Sequence, residues 1–105
     1  MAESERRMGP RVDVEFFAIE LSGEGRFYRL VRNVSEHGLY FETPPGWYHD
    51  GTAPVVLELE PEIRGERMRV EGTVAHATEH GVGLRLVDAT PSARAWLRRL
   101  LAANA

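Results

Sequence analysis

Alternation of apolar and polar side chains with a period of two residues is the feature that most restricts the fold of this sequence. The clearest stretch runs from Arg67 to Ala77, where one parity holds Met68, Val70, Val74 and His76 and the other holds Arg67, Arg69, Glu71 and Thr73. Such a pattern predicts a strand with one wet face. Gly81 then permits a tight reversal, and Val82, Leu84 and Leu86 repeat the alternation. The two segments are predicted to form a hairpin of long antiparallel strands.

Four more segments are predicted to be strands. Ala53 to Leu59 and Leu39 to Phe41 alternate in the same way. Between Val12 and Leu21 the apolar parity changes near Phe16, which predicts a bulge or sharp bend at that point. Gly25 to Asn33 is rich in aromatic and aliphatic residues that favour extended structure.

After Asp88 the period changes to that of an amphipathic helix, predicted over residues 91–103. Its apolar stripe consists of Ala93, Trp96, Leu97, Leu100 and Leu101. Thr90 can cap the helix and Pro91 suits its first turn. We interpret the stripe as core, with a dimer or effector surface as the alternative. Six strands and one helix predict an all-β fold, a six-stranded antiparallel β-barrel over residues 12–105 that the C-terminal amphipathic helix closes.

Composition narrows the function classes. The 105 residues, 43% of them apolar, suit one domain. No apolar run approaches the roughly 18 residues of a membrane span, and the polar start differs from a signal peptide, so we expect a cytoplasmic protein with no membrane insertion. The absence of cysteine excludes disulfides, zinc fingers and thiol catalysis. A net charge of −3 disfavours binding to nucleic acid polymers.

Candidate catalytic and metal-binding patterns are weak. His76, Glu79 and His80 match a zinc-peptidase string, but that string requires a helix, and a strand and turn are predicted here. No serine or carboxylate pair stands beside a histidine in a catalytic pattern. The sequence therefore predicts a binding module without a metal or cofactor, not an enzyme.

Arg6, Arg7 and Arg11 form the first candidate binding group, in a segment that Gly9 and Pro10 keep from being helical. We predict that residues 1–11 are a flexible arm. Two of its guanidinium groups, up to about 13 Å apart, could clamp a phosphate-bearing ligand of dinucleotide size. All 13 basic residues are arginine, which either reflects a GC-rich genome or supplies bidentate donors. A solvated basic tail is the alternative interpretation.

The second candidate group follows the predicted second strand and consists of Asn33, Ser35 and Gly38. Asn33 and Ser35 share a parity, so an amide and a hydroxyl would project from one face. Gly38 would let backbone or ligand come close. An ordinary hairpin turn is the alternative interpretation.

Taken together, Arg7-x-x-x-Arg11 and Asn33-x-Ser35-x-x-Gly38 in a six-stranded β chain with a terminal helix resemble the PilZ domain family. The resemblance extends to the strand from Gly81 to Leu86. It implies a bacterial receptor for cyclic di-GMP, in which Arg7 and Arg11 contact guanines and phosphates while Asn33, Ser35 and Gly38 form the complementary barrel surface. Arg6 would join them, and some PilZ proteins with arginine there bind two stacked ligand molecules.

Several questions stay open in this interpretation. In the family, the position of His37 is often occupied by a small residue. The ring of His37 would therefore either crowd the ligand or stack on a base. The expected partners are cyclic di-GMP and an effector protein, with the chain a monomer or a ligand-dependent dimer.

One alternative function is a nucleotide-independent interaction module in pilus or flagellar control. Another is a small RNA-binding barrel, which the net charge disfavours. Trp47 and Tyr48 are expected to plug one end of the barrel, or else to meet a guanine or a partner.

Overall fold

The computed structural model describes residues 11–23, 25–49, 51–59 and 68–103. Within these ranges six strands form one closed antiparallel barrel, in the order β1-β2-β3-β6-β5-β4, and one helix follows them. The strands are β1 (Val12–Ser22), β2 (Gly25–Val34), β3 (Gly38–Glu42), β4 (Val55–Leu59), β5 (Met68–Ala77) and β6 (Gly81–Ala89), and the helix is α1 (Pro91–Ala103). This architecture confirms the predicted fold class. The barrel closes where β4 pairs with β1.

The core fills the barrel and continues under the helix. Its largest fully buried side chains are Phe41, Leu57, Leu84, Val31, Val34, Val70 and Val82. On α1, Ala93 and Leu97 are buried, and the Trp96 ring meets Phe16 edge to face with a centroid separation of 4.8 Å. The apolar stripe of the helix therefore belongs to the core, as predicted. Thr90 accepts the Ala93 amide at 3.4 Å, consistent with the predicted cap.

The first strand has the predicted irregularity, but not the predicted change of parity. The register between β1 and β2 shifts between Asp13 and Phe16. Beyond the shift, Ala18 and Glu20 are buried while Phe17 is 53% exposed, so the inward parity continues. The alternation misleads here because the barrel interior accepts a charged side chain: Glu20 is paired with Arg29.

The β5–β6 hairpin is confirmed, and its irregularities change the predicted faces. The register shifts between Glu71 and Gly72 and again between Val74 and His76. His76 shares the parity of Met68 and Val70 in the sequence, yet it is exposed because the second shift takes it out of the inward set. His80 lies in the following turn, where its amide donates to Thr78 Oγ1 at 3.1 Å.

The loop after β3 covers the barrel end formed by the β1–β2 hairpin. Trp47 is half-buried, 4.9 Å from the Phe27 ring, and lies over the Arg29 guanidinium at 4.4 Å. These contacts agree with the plug expected of Trp47. The same expectation is wrong for Tyr48, which is 83% exposed.

Candidate functional site

An open depression lies at the C-terminal end of β2, beside the start of β1 and opposite the barrel end that Trp47 covers. It is lined by Arg11, Asn33, Ser35, Gly38, Leu39, Tyr40, His76 and Gly83. It therefore brings together four of the six binding residues predicted from the sequence. The other two, Arg6 and Arg7, lie outside the described residues, as does the predicted arm except for Arg11.

Strand pairing explains why the two distant sequence motifs meet. Val12 pairs with Val34 and Asp13 with Asn33, so the chain enters β1 beside the end of β2. Arg11, the residue before β1, is thereby placed next to Asn33. Its side chain is exposed and makes no ion pair with another described residue. A guanidinium in this position is available for an anionic ligand.

The turn between β2 and β3 is held by hydrogen bonds at both ends. The Ser35 amide donates to the Gly38 carbonyl at 2.8 Å, and the Ser35 hydroxyl approaches the same oxygen at 3.4 Å. The Leu86 amide donates to the His37 carbonyl at 2.8 Å, which fastens the turn to β6. Ser35 is 3% exposed and Gly38 is buried, whereas Asn33 is half-buried. The amide of Asn33 is thus the more accessible polar group of this motif.

His37 lies away from the depression. Its side chain is 61% exposed, with Nε2 4.0 Å from Glu36 Oε1. It lines a separate cavity against the helix. Its role as an accessory binding residue stays a prediction.

The lining of the depression, here called the wall, also includes Tyr40 and His76, which the sequence did not identify as site residues. Their rings lie nearly parallel, 14° apart, with centroids separated by 6.2 Å. They come from β3 and β5, on either side of β6, and Gly83 is the β6 residue paired with both. A Cβ on Gly83 would collide with the His76 ring, so the missing side chain admits the imidazole. A glycine inside a strand often marks such a close approach, and this was the available signal.

The wall has side chains that suit a ligand with both a planar ring and a negative charge. The parallel rings of Tyr40 and His76 provide a face for stacking, and Arg11 provides a permanent positive charge with forked donors. Asn33 adds an amide that can donate and accept. The enclosed volume is only about 10 Å³, roughly that of a single water probe. A ligand of dinucleotide size would therefore lie on this surface and not inside an enclosed pocket.

Comparison with known proteins agrees with the topology. The family model described as PilZ domain matches residues 5–103. The structure of the Bacillus subtilis Inhibitor of motility (MotI/DgrA) superposes with a TM-score of 0.69 at 17% identity. The alignment covers 87% of this chain and 49% of that one, so this chain spans about half the length of that protein. At this identity the likeness shows the fold alone. No curated protein matches the chain.

Proposed function

Because this chain belongs to the PilZ domain family, we propose that it is a receptor for cyclic di-GMP and that the depression at the end of β2 is the wall on which the ligand rests. The observation that carries the proposal is the meeting of Arg11, Asn33, Ser35 and Gly38 in one depression. These four residues are implied by the family resemblance and come from two segments more than twenty positions apart in the sequence. Pairing of β1 with β2 brings the two segments together, and the family resemblance assigns ligand contacts to residues of both.

Each wall residue has a distinct proposed role. Arg11 pairs with a phosphate or with a guanine edge, both of which accept bidentate hydrogen bonds. Asn33 hydrogen-bonds the ligand, while Ser35 and Gly38 set the shape of the turn that supports it. The Tyr40–His76 pair stacks against a guanine face, a contact worth about 1–3 kcal/mol per base.

The shallowness of the wall supports a second part of the proposal. Residues 1–11 act as a clasp separate from the barrel of residues 12–105, and Arg6 and Arg7 close over the ligand. Closure changes the surface that the protein offers to an effector, so the nucleotide acts as a switch. The protein is then a cytoplasmic signalling adaptor that needs no further cofactor. Among the described residues, no helix is long and apolar enough to cross a membrane.

Isothermal titration calorimetry with cyclic di-GMP tests the proposal. We expect saturable heat, and the molar ratio separates one bound molecule from a stacked pair. Linear GMP dimer and cyclic GMP are the matched control ligands, since each keeps the guanine and phosphate but lacks the closed dinucleotide. A folded protein that gives no heat and does not compete for labelled cyclic di-GMP would contradict the proposal. That result would favour a nucleotide-independent interaction module.

A further inference from the structure

A second cavity lies on the other side of the β2–β3 turn, between that turn, the end of β6 and helix α1. Its volume is about 200 Å³, much larger than the depression. Leu86, Leu97 and Leu101 supply apolar lining, and Arg94 and Arg98 line the helix side. Ser35 borders both cavities, so the turn is a shared wall. The cavity is concave and partly apolar, as binding sites for inserted side chains are.

Two arginines on the helix side of this cavity have no carboxylate partner among the described residues. Arg94 and Arg98 are one helical turn apart and exposed, and neither forms an ion pair with a carboxylate of a described residue. Helix α1 has three arginines and no acidic residue, in a chain whose net charge is −3. The two arginines therefore form a local positive ridge on an otherwise acidic protein.

The carboxylates that line the cavity, Glu36 and Asp88, lie on the opposite wall. Asp88 Oδ1 accepts the Ala89 amide at 2.9 Å, and Glu36 lies beside His37. Next to Asp88, Val87 is 58% exposed and extends the apolar lining to the surface. The cavity thus combines an apolar floor with a positive rim on the helix side.

We propose that this cavity docks an acidic amphipathic helix of a partner protein. Apolar side chains on one face of that helix enter the cavity beside Leu86 and Leu101, and its carboxylates pair with Arg94 and Arg98. Arginine is enriched at such interfaces because its planar fork pairs with carboxylates in two places. A nucleic acid duplex would present no apolar group to fill a concave site. The inference goes beyond the nucleotide site and does not depend on it.

Fluorescence anisotropy with a defined probe tests the docking surface without nucleotide. The probe is a labelled helical peptide with leucine along one face and glutamate along the other, and a peptide of the same composition in scrambled order is its control. We expect the patterned peptide to bind, with amide shifts at Leu86 and Leu97 in NMR spectra. The double variant Arg94→Glu/Arg98→Glu should weaken binding at least about tenfold, equivalent to 1.4 kcal/mol.

Two further variants separate docking from general charge and from misfolding. Arg99→Glu changes an arginine of the same helix that does not line the cavity, and its effect should stay below about threefold. Val87→Asp alters an exposed side chain on the rim and should also weaken binding, with an unchanged melting temperature. Three results would overturn the proposal: no binding of the patterned peptide, equal binding by the double variant, or preferential binding to phosphatidylglycerol vesicles that the double variant abolishes.

Discussion

Arg29 donates a hydrogen bond from Nε to Glu20 Oε1 across 2.8 Å, and both side chains are almost completely buried in the barrel. The second carboxylate oxygen of Glu20 accepts from His49 Nε2, also at 2.8 Å. The Trp47 ring covers the Arg29 guanidinium at 4.4 Å. One buried carboxylate thereby joins β1, β2 and the loop after β3, and this cluster closes the barrel end opposite to the candidate site.

Glu20→Gln should destabilise the protein by about 3–5 kcal/mol, because it leaves the positive charge of Arg29 buried without its counter-ion. Urea unfolding followed by tryptophan fluorescence measures the change in free energy. Glu15→Gln is the matched control, since Glu15 pairs with Arg32 at 3.3 Å but its side chain is 72% exposed. Its effect should be below about 1 kcal/mol. Equal small losses for both variants would show that the buried pair contributes little.

Arg11→Ala should weaken cyclic di-GMP binding by roughly tenfold to a hundredfold, because a charge-assisted hydrogen bond contributes about 1.5–3 kcal/mol. We expect the same range for Arg7→Ala, whose side chain belongs to the proposed clasp. Calorimetric titration of each variant gives the affinity. Arg26→Ala removes an exposed arginine at the far end of β2 and should bind like the wild type. Wild-type affinity in both Arg11→Ala and Arg7→Ala would show that these guanidinium groups do not contact the ligand.

Gly83→Ala should reduce cyclic di-GMP affinity by displacing the His76 ring from its position over β6. The exposed imidazole can swing away, so the melting temperature should change little. His76→Ala should lower the affinity by a similar factor, about fivefold to a hundredfold for one lost stacking contact. A binding isotherm and a thermal melt for each variant separate affinity from stability. Wild-type affinity in His76→Ala would exclude the ring from the site.

Gly72→Ala should destabilise the fold by about 1–3 kcal/mol, because its Cβ would lie 2.6 Å from the Arg85 carbonyl oxygen in the paired strand. Backbone in the middle of a hairpin cannot move aside as the His76 ring can. Chemical denaturation gives the loss. Gly51→Ala, where nothing lies within 4 Å of the new Cβ, should stay within about 0.5 kcal/mol of the wild type. A neutral Gly72→Ala would indicate that the strands can separate locally.

The sequence by itself determined the local elements of this protein and the membership of its candidate binding motif. Period-two alternation predicted the β5–β6 hairpin, and the change of period after Asp88 predicted α1, because each pattern depends only on near neighbours along the chain. The motif residues Arg11, Asn33, Ser35 and Gly38 were likewise recognised in the sequence, and the structure places them in one depression.

Tertiary structure alone decided which distant side chains meet. Burial of Glu20 was hidden from hydrophobic patterning, because a charge is tolerated inside only where a partner from another strand neutralises it. The meeting of Tyr40 with His76 required β6 to lie between β3 and β5 and a register shift to turn His76 outward. Strand order is set by closure of the whole barrel, so no local pattern encodes it.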